Sequence, residues 1–204
     1  MTPPTDVIDE LAGVRADGTI DALRRRRPVT RDQLQASHDA LFEPVDDAHL
    51  ALAERALVAA FATRLTADDA TAAWHARHAV EVAGAERAAV VLAEAVGAAA
   101  SGPYGAYRED GLRDESTDGP RYRPSVEVAE QLGERLAAAL VHAHLLTFRP
   151  READDTALAA LRDAGWSVDG IVTLSQLVAF LAFQQRVAHG LLVLADTDRQ
   201  DAAA

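Results

Sequence analysis

The sequence predicts an all-α protein, a multihelical bundle in two helical halves joined by a long loop. Three observations predict it. Alanine dominates the apolar positions of a chain that is 49% hydrophobic and only 5% aromatic. With leucine, arginine and glutamate it supplies helix formers throughout, while long β-branched runs are missing. Helix-start signatures recur, a Ser or Thr with a partner three residues on or a cap behind a glycine, and apolar residues between them repeat at helical spacing. At 204 residues the chain suits one large domain or two small helical repeats, and buries roughly 70% of its unfolded surface.

Taken in order, residues 1–27 hold two short amphipathic pieces, Asp6–Val14 and Thr19–Arg26, split by Ala16-Asp17-Gly18. Pro28 is expected to break the chain, and Thr30 with Gln33 to open a helix carrying Leu34 and Leu41 on one side. Residues 1–45 thus form an N-terminal helical wrap, and 46–196 the main helical domain. Leu50–Leu65 is its first core helix, with Glu54 in the midst of the apolar face. Thr66 and Asp69 suggest a helix from about Asp68 to Ala98, bent at Gly84. Residues 101–124, rich in glycine, proline, tyrosine and charge, read as a long loop, either a cover over a pocket or an ordered connector. Ser125 caps a helix reaching Phe148, and a shorter helix, Ala153–Ala164, follows.

Gly165–Leu194 is the stretch around which the rest is organised. Ser167 is its cap, and from Ile171 nothing interrupts a helix before Gly190. About 25 residues make a rod of roughly 37 Å, apolar almost all round and so expected to be buried. Gln176, Gln184, Gln185 and Arg186 interrupt it too early for a membrane span. The tail, 197–204, is expected to be disordered.

Composition excludes several chemistries. Net charge is −12 and the only basic run is Arg24–Arg27, more simply the solvated end of a short helix than a phosphate-binding stripe, so nucleic acid is not an expected partner. No cysteine is present, which removes thiolate nucleophiles, redox dithiols and cysteinyl metal sites. No lysine is present, which removes Schiff-base chemistry and the P-loop lysine. No metal or cofactor is expected. The N-terminus lacks the basic and apolar regions of a secretory signal, so a cytoplasmic protein is expected.

Gly165, Ser167, Ile171, Leu174 and Gln176, a glycine, a cap two residues on, an isoleucine and then a Leu/Gln-rich helix, resemble the carboxymuconolactone decarboxylase / alkylhydroperoxidase D-like family. The helix opening 52–58 is similar to the family's run before its cysteines, and the resemblance covers roughly residues 50–194. It implies the family's helical fold and a homo-oligomer, commonly a trimer or hexamer. In thiol peroxidases of the family a glutamate and a histidine relay protons to a Cys-x-x-Cys pair. Carried over at that spacing, the glutamate falls on Ala56, the cysteines on Asp68 and Thr71, and the histidine on His75. Only His75 is kept, and neither Asp68 nor Thr71 can cycle between thiol and disulfide.

Two functions remain open. One is a non-catalytic protein that keeps the fold and oligomer, and pairs with a cysteine-bearing relative. The other is a cofactor-free acid–base enzyme of decarboxylase or lactone type acting on a small organic acid. There His75 is the general base, and Asp68 or Glu54 orients it. Against the catalytic roles, Glu54 near a helix N-terminus is welcomed by the dipole and by Arg55 or Arg64, Asp68 serves as a cap, and His75 packs beside Trp74. His38 and His49 read as surface residues, and His142, His144 and His189 as core or interface.

Overall fold

The computed structural model describes residues 6–201, and among them no strand forms; a lone antiparallel bridge joins Gly105 to Thr117. The protein is all-α. By contacts it divides into two compact units, Met1–Val45 with Phe183–Ala204, and Asp46–Ala182.

In the smaller unit α1 (Val7–Leu11), α2 (Thr19–Arg25) and α3 (Pro28–Phe42) bury Val7, Ile8, Leu11, Ile20, Leu34, Leu41 and Phe42. The Asp6 carboxylate caps α1, accepting from the N–H groups of Ile8 at 2.9 Å and Asp9 at 3.2 Å. The chain breaks just ahead of Pro28, α2 ending at Arg25, but the proline itself belongs to the next helix. It is the first residue of α3, where its missing N–H costs nothing and its fixed φ suits the helix, so α3 begins two residues before the expected Thr30. His38 is buried rather than at the surface: its ring lies 4.8 Å from that of Phe42, and Gln184 Nε2 stands 3.4 Å from its Nδ1. An ion network ties the three helices together. Arg24 meets Asp6 and Asp9, Arg31 meets the same two and Asp21, and Arg25 meets Asp21 at 2.8 Å. The Arg24 side chain, 8% exposed, is therefore held in that network rather than freely solvated.

The larger unit is built on α4 (Leu52–Thr66), whose residues from Arg55 to Thr63 are all buried. Four of them are alanines, and small side chains let neighbouring helices come close on every side. Asp69, not Thr66, caps the next helix, accepting from the Ala72 N–H at 2.9 Å. The expected single helix to Ala98 is two, α5 (Ala70–Ala83) and α6 (Ala85–Ala98), because Gly84 takes φ +87° and stops the first. The same happens after Ser125: α7 (Val126–Leu132) and α8 (Glu134–Phe148) meet at Gly133, φ +84°. Helices α5, α6 and α8 pack on α4, and α7 and α9 (Asp155–Asp163) pack on α8.

Residues 101–124 are an anchored connector. The Tyr104 N–H donates to the Phe148 carbonyl at 2.6 Å, and the Tyr122 hydroxyl donates to Glu94 at 2.7 Å. Arg149, buried, donates to the Gly119 carbonyl at 2.8 Å and to Glu152 at 2.7 Å. The Arg149 hydrogen bond pulls the Glu152 carboxyl down to about 2.

The long helix, α10, runs Val168–Asp201, 34 residues, and passes through Gly190. Residues 197–201 are helical rather than a disordered tail, since nothing after Gly190 breaks a helix, and 202–204 lie outside the described residues. Ser167 is its cap as expected, its hydroxyl accepting from the Gly170 N–H at 3.1 Å. Ile171, Leu174, Leu177, Val178 and Leu181 are buried, while Val172, Phe183 and Leu194 stay about half exposed. By length and composition Val168–Thr197 is apolar enough to cross a membrane, with mean hydropathy 1.5, yet Gln184 and Gln185 within it are buried polar residues.

Candidate functional site

Glu54 is the third residue of α4. One carboxylate oxygen accepts from the Ala51 N–H at 3.2 Å, as the helix dipole favours, and the other accepts from Arg135 Nε at 2.8 Å. The cation is neither of the two expected from its own helix, Arg55 and Arg64, but Arg135 on α8. Arg55 instead is buried and donates to the Leu50 carbonyl at 2.7 Å. Arg135 also donates to the carbonyls of Gly165 and His49, both at 2.8 Å, and lies 3.9 Å over the Trp166 ring. Trp166 Nε1 in turn donates to the Arg135 carbonyl at 3.0 Å. This arginine buckles the start of α4, α8 and the turn before α10. A sequence gave no signal for it, because Glu54 and Arg135 are 81 residues apart.

Asp68 stands on the surface between α4 and α5, its side chain 76% exposed and ion-paired to Arg64 at 3.3 Å. His75 is on the opposite kind of surface. It is 0% exposed, on the face of α5 that also buries Thr71, Ala72 and Ala79. Trp74 packs beside it edge-on at 4.8 Å between ring centres, and stacks on His78 at 5.3 Å. Burial holds the His78 imidazole below its ordinary value against the opposing pull of Glu81. Each of the three candidate groups thus has its own setting: Glu54 on Arg135, Asp68 on Arg64, and His75 in the packed interior. Ala56 and Thr71, the positions matched to the family's glutamate and second cysteine, are buried as well.

A second polar cluster lies where α6, α8 and the connector meet. The Tyr122 ring packs 5.1 Å from Phe61 and 5.8 Å from His144, which packs 5.0 Å from Phe148. Burial, then the hydrogen bond to Glu94, push the Tyr122 hydroxyl well above its ordinary value, so it remains a donor. His142 and His144 are in the core, as expected, but not fully satisfied: His142 Nδ1 and His144 Nε2 are buried without a hydrogen bond. Burial holds both imidazoles below the ordinary value. His142 Nε2 lies 3.4 Å from the Ser175 hydroxyl. His189 is exposed, as is His49, which meets the Ser167 hydroxyl at 3.1 Å.

No group of three or more His, Asp or Glu side chains is placed to hold a metal among the described residues. Hollows open among the described residues of the smaller unit. One of about 730 Å³ lies between α2, α3 and α10, and one of about 530 Å³ lies between the α1–α2 turn and Leu191, Leu192 and Ala195. None of His75, Asp68 and Glu54 lines either. Compared with family models, with curated proteins and with solved structures, the chain finds no match.

Proposed function

We propose that the chain is a non-catalytic protein with the carboxymuconolactone decarboxylase / alkylhydroperoxidase D-like fold, working in the cytoplasm through association. Its partners are further copies of itself, as a trimer or hexamer, and a cysteine-bearing relative. The observation that carries the reading is the complete burial of His75. A general base must come within hydrogen-bond reach of the proton it takes, directly or through one water. An imidazole with no exposed surface offers a substrate no such approach, and the carboxylates proposed to orient it are engaged with Arg64 and Arg135. The chemistry of the chain points the same way: Ala56, Asp68 and Thr71 stand where a thiol peroxidase needs a glutamate and two cysteines.

The test is turnover. Pure protein incubated with small lactones, β-keto acids and hydroperoxides, with and without thiol reductant, is expected to match buffer. Turnover of any of them that His75→Ala abolishes without lowering the melting temperature would establish the acid–base enzyme instead.

A further inference from the structure

The Arg24–Arg27 run ends α2 and leads into α3, and its four guanidiniums have two different fates. Arg24 and Arg25, with Arg31 from α3, are matched by the carboxylates of Asp6, Asp9 and Asp21. That is three cations against three anions. Burial alone would raise the Asp6 carboxyl, but Arg24 and Arg31 hold it below its ordinary value, so the anion is kept. Arg26 and Arg27 are left over: both are exposed and neither has an ion pair among the described residues. In a chain of net charge −12, two neighbouring uncompensated cations are a local exception.

Both line the hollow of about 730 Å³, a size usual for small-molecule sites. Arg24, Arg31 and Thr30 line it too, the two arginines already matched by carboxylates, and the rest of the wall is apolar: Leu23, Leu34, and Phe183, Val187 and Leu191 at i, i+4 and i+8 along α10. Phe183 remains 48% exposed there. The acid that follows Arg31 in sequence, Asp32, does not line the hollow. We infer that this hollow binds a single-chain anionic amphiphile from solution, its carboxylate or phosphate head on Arg26 and Arg27 and its tail along Phe183, Val187 and Leu191. A guanidinium matches either head with two parallel hydrogen bonds. An apolar tail removes from water a phenylalanine face that is otherwise wet. A concave site walled by three helices favours a free molecule over the flat surface of a bilayer.

Calorimetric titration of the full chain with decanoate, decyl phosphate and decanol, each below its micelle concentration, tests the inference. One equivalent of either anion is expected to bind, with decanol at least tenfold weaker. Arg26→Gln with Arg27→Gln, both exposed and outside the ion network, is expected to weaken the anions at least tenfold and leave decanol unchanged. Phe183→Asp is expected to abolish all binding, with circular dichroism confirming that each variant is folded. Absence of heat with both anions, anion binding that the double variant does not weaken, or retention on phosphatidylglycerol vesicles without binding of the free amphiphiles would overturn it. None of these results bears on His75, so the inference and the proposed function stand or fall separately.

Discussion

Arg135 ties together three places in the larger unit. Its guanidinium serves Glu54, Gly165 and His49, so Arg135→Ala strands two carbonyls and a carboxylate at once. With the side chain 34% exposed, the ion pair itself contributes little, and the loss comes from the hydrogen bonds and the lost stacking on Trp166. A destabilisation of about 2–3 kcal/mol is expected in denaturant titration. Glu54→Gln, which keeps an acceptor, should cost less. The histidines make a separate prediction. His78, His142 and His144 all have imidazoles held below the ordinary value by burial. Between the unfolded value, about 6.5, and the lower folded values the unfolded chain binds more protons, so stability rises with pH there. The melting temperature is expected to fall as pH drops from 7 towards 5, before the carboxylates titrate. His142→Phe should flatten part of that slope; an unchanged slope in the variant would show that His142 is not a source of it.

At the scale of elements, two glycines decide where helices end. Gly84 and Gly133 take φ +87°, ψ 151° and φ +84°, ψ 147°, a region that side chains other than glycine essentially avoid. No neighbour would touch a Cβ at either place, so Gly84→Ala or Gly133→Ala costs backbone strain alone. About 1–3 kcal/mol is expected for each, measured by thermal or denaturant unfolding. The cap residues, the helical periods and the long apolar helix were legible in the sequence. Ser125 and Ser167 are caps because their side chains accept from the N–H three positions on, a local bond that local sequence encodes, whereas at the start of α5 the cap is Asp69 and not the Thr66 that the pattern suggests. The breaks at Gly84 and Gly133 were not, since a glycine within a helical period is compatible with a bend or a stop. At Pro28 the break was legible and the helix start was not, because a proline that ends one helix equally begins another. The setting of the candidate site was least legible. Periodicity places His75 on an apolar face of α5, but only the packing of α4 against that helix decides whether the face is a pocket wall or a filled core.

For the whole molecule, exposed apolar side chains on α10 bear on assembly. Val168 and Val172 in the larger unit, and Phe183, Val193 and Leu194 in the smaller, are 46–66% exposed, apolar surface that association would remove from water. Light scattering at micromolar concentration is expected to give three or six times 21.7 kDa; the monomer mass would remove the homo-oligomer from the proposal. The proposal that the chain is non-catalytic rests on His75 being closed to solvent. Diethylpyrocarbonate labelling of the native protein, read by mass spectrometry, measures that directly. His49 and His189, both exposed, should be modified quickly, and His75, with His142 and His144, only after unfolding. Modification of His75 in the native protein as fast as that of His189 would contradict the account.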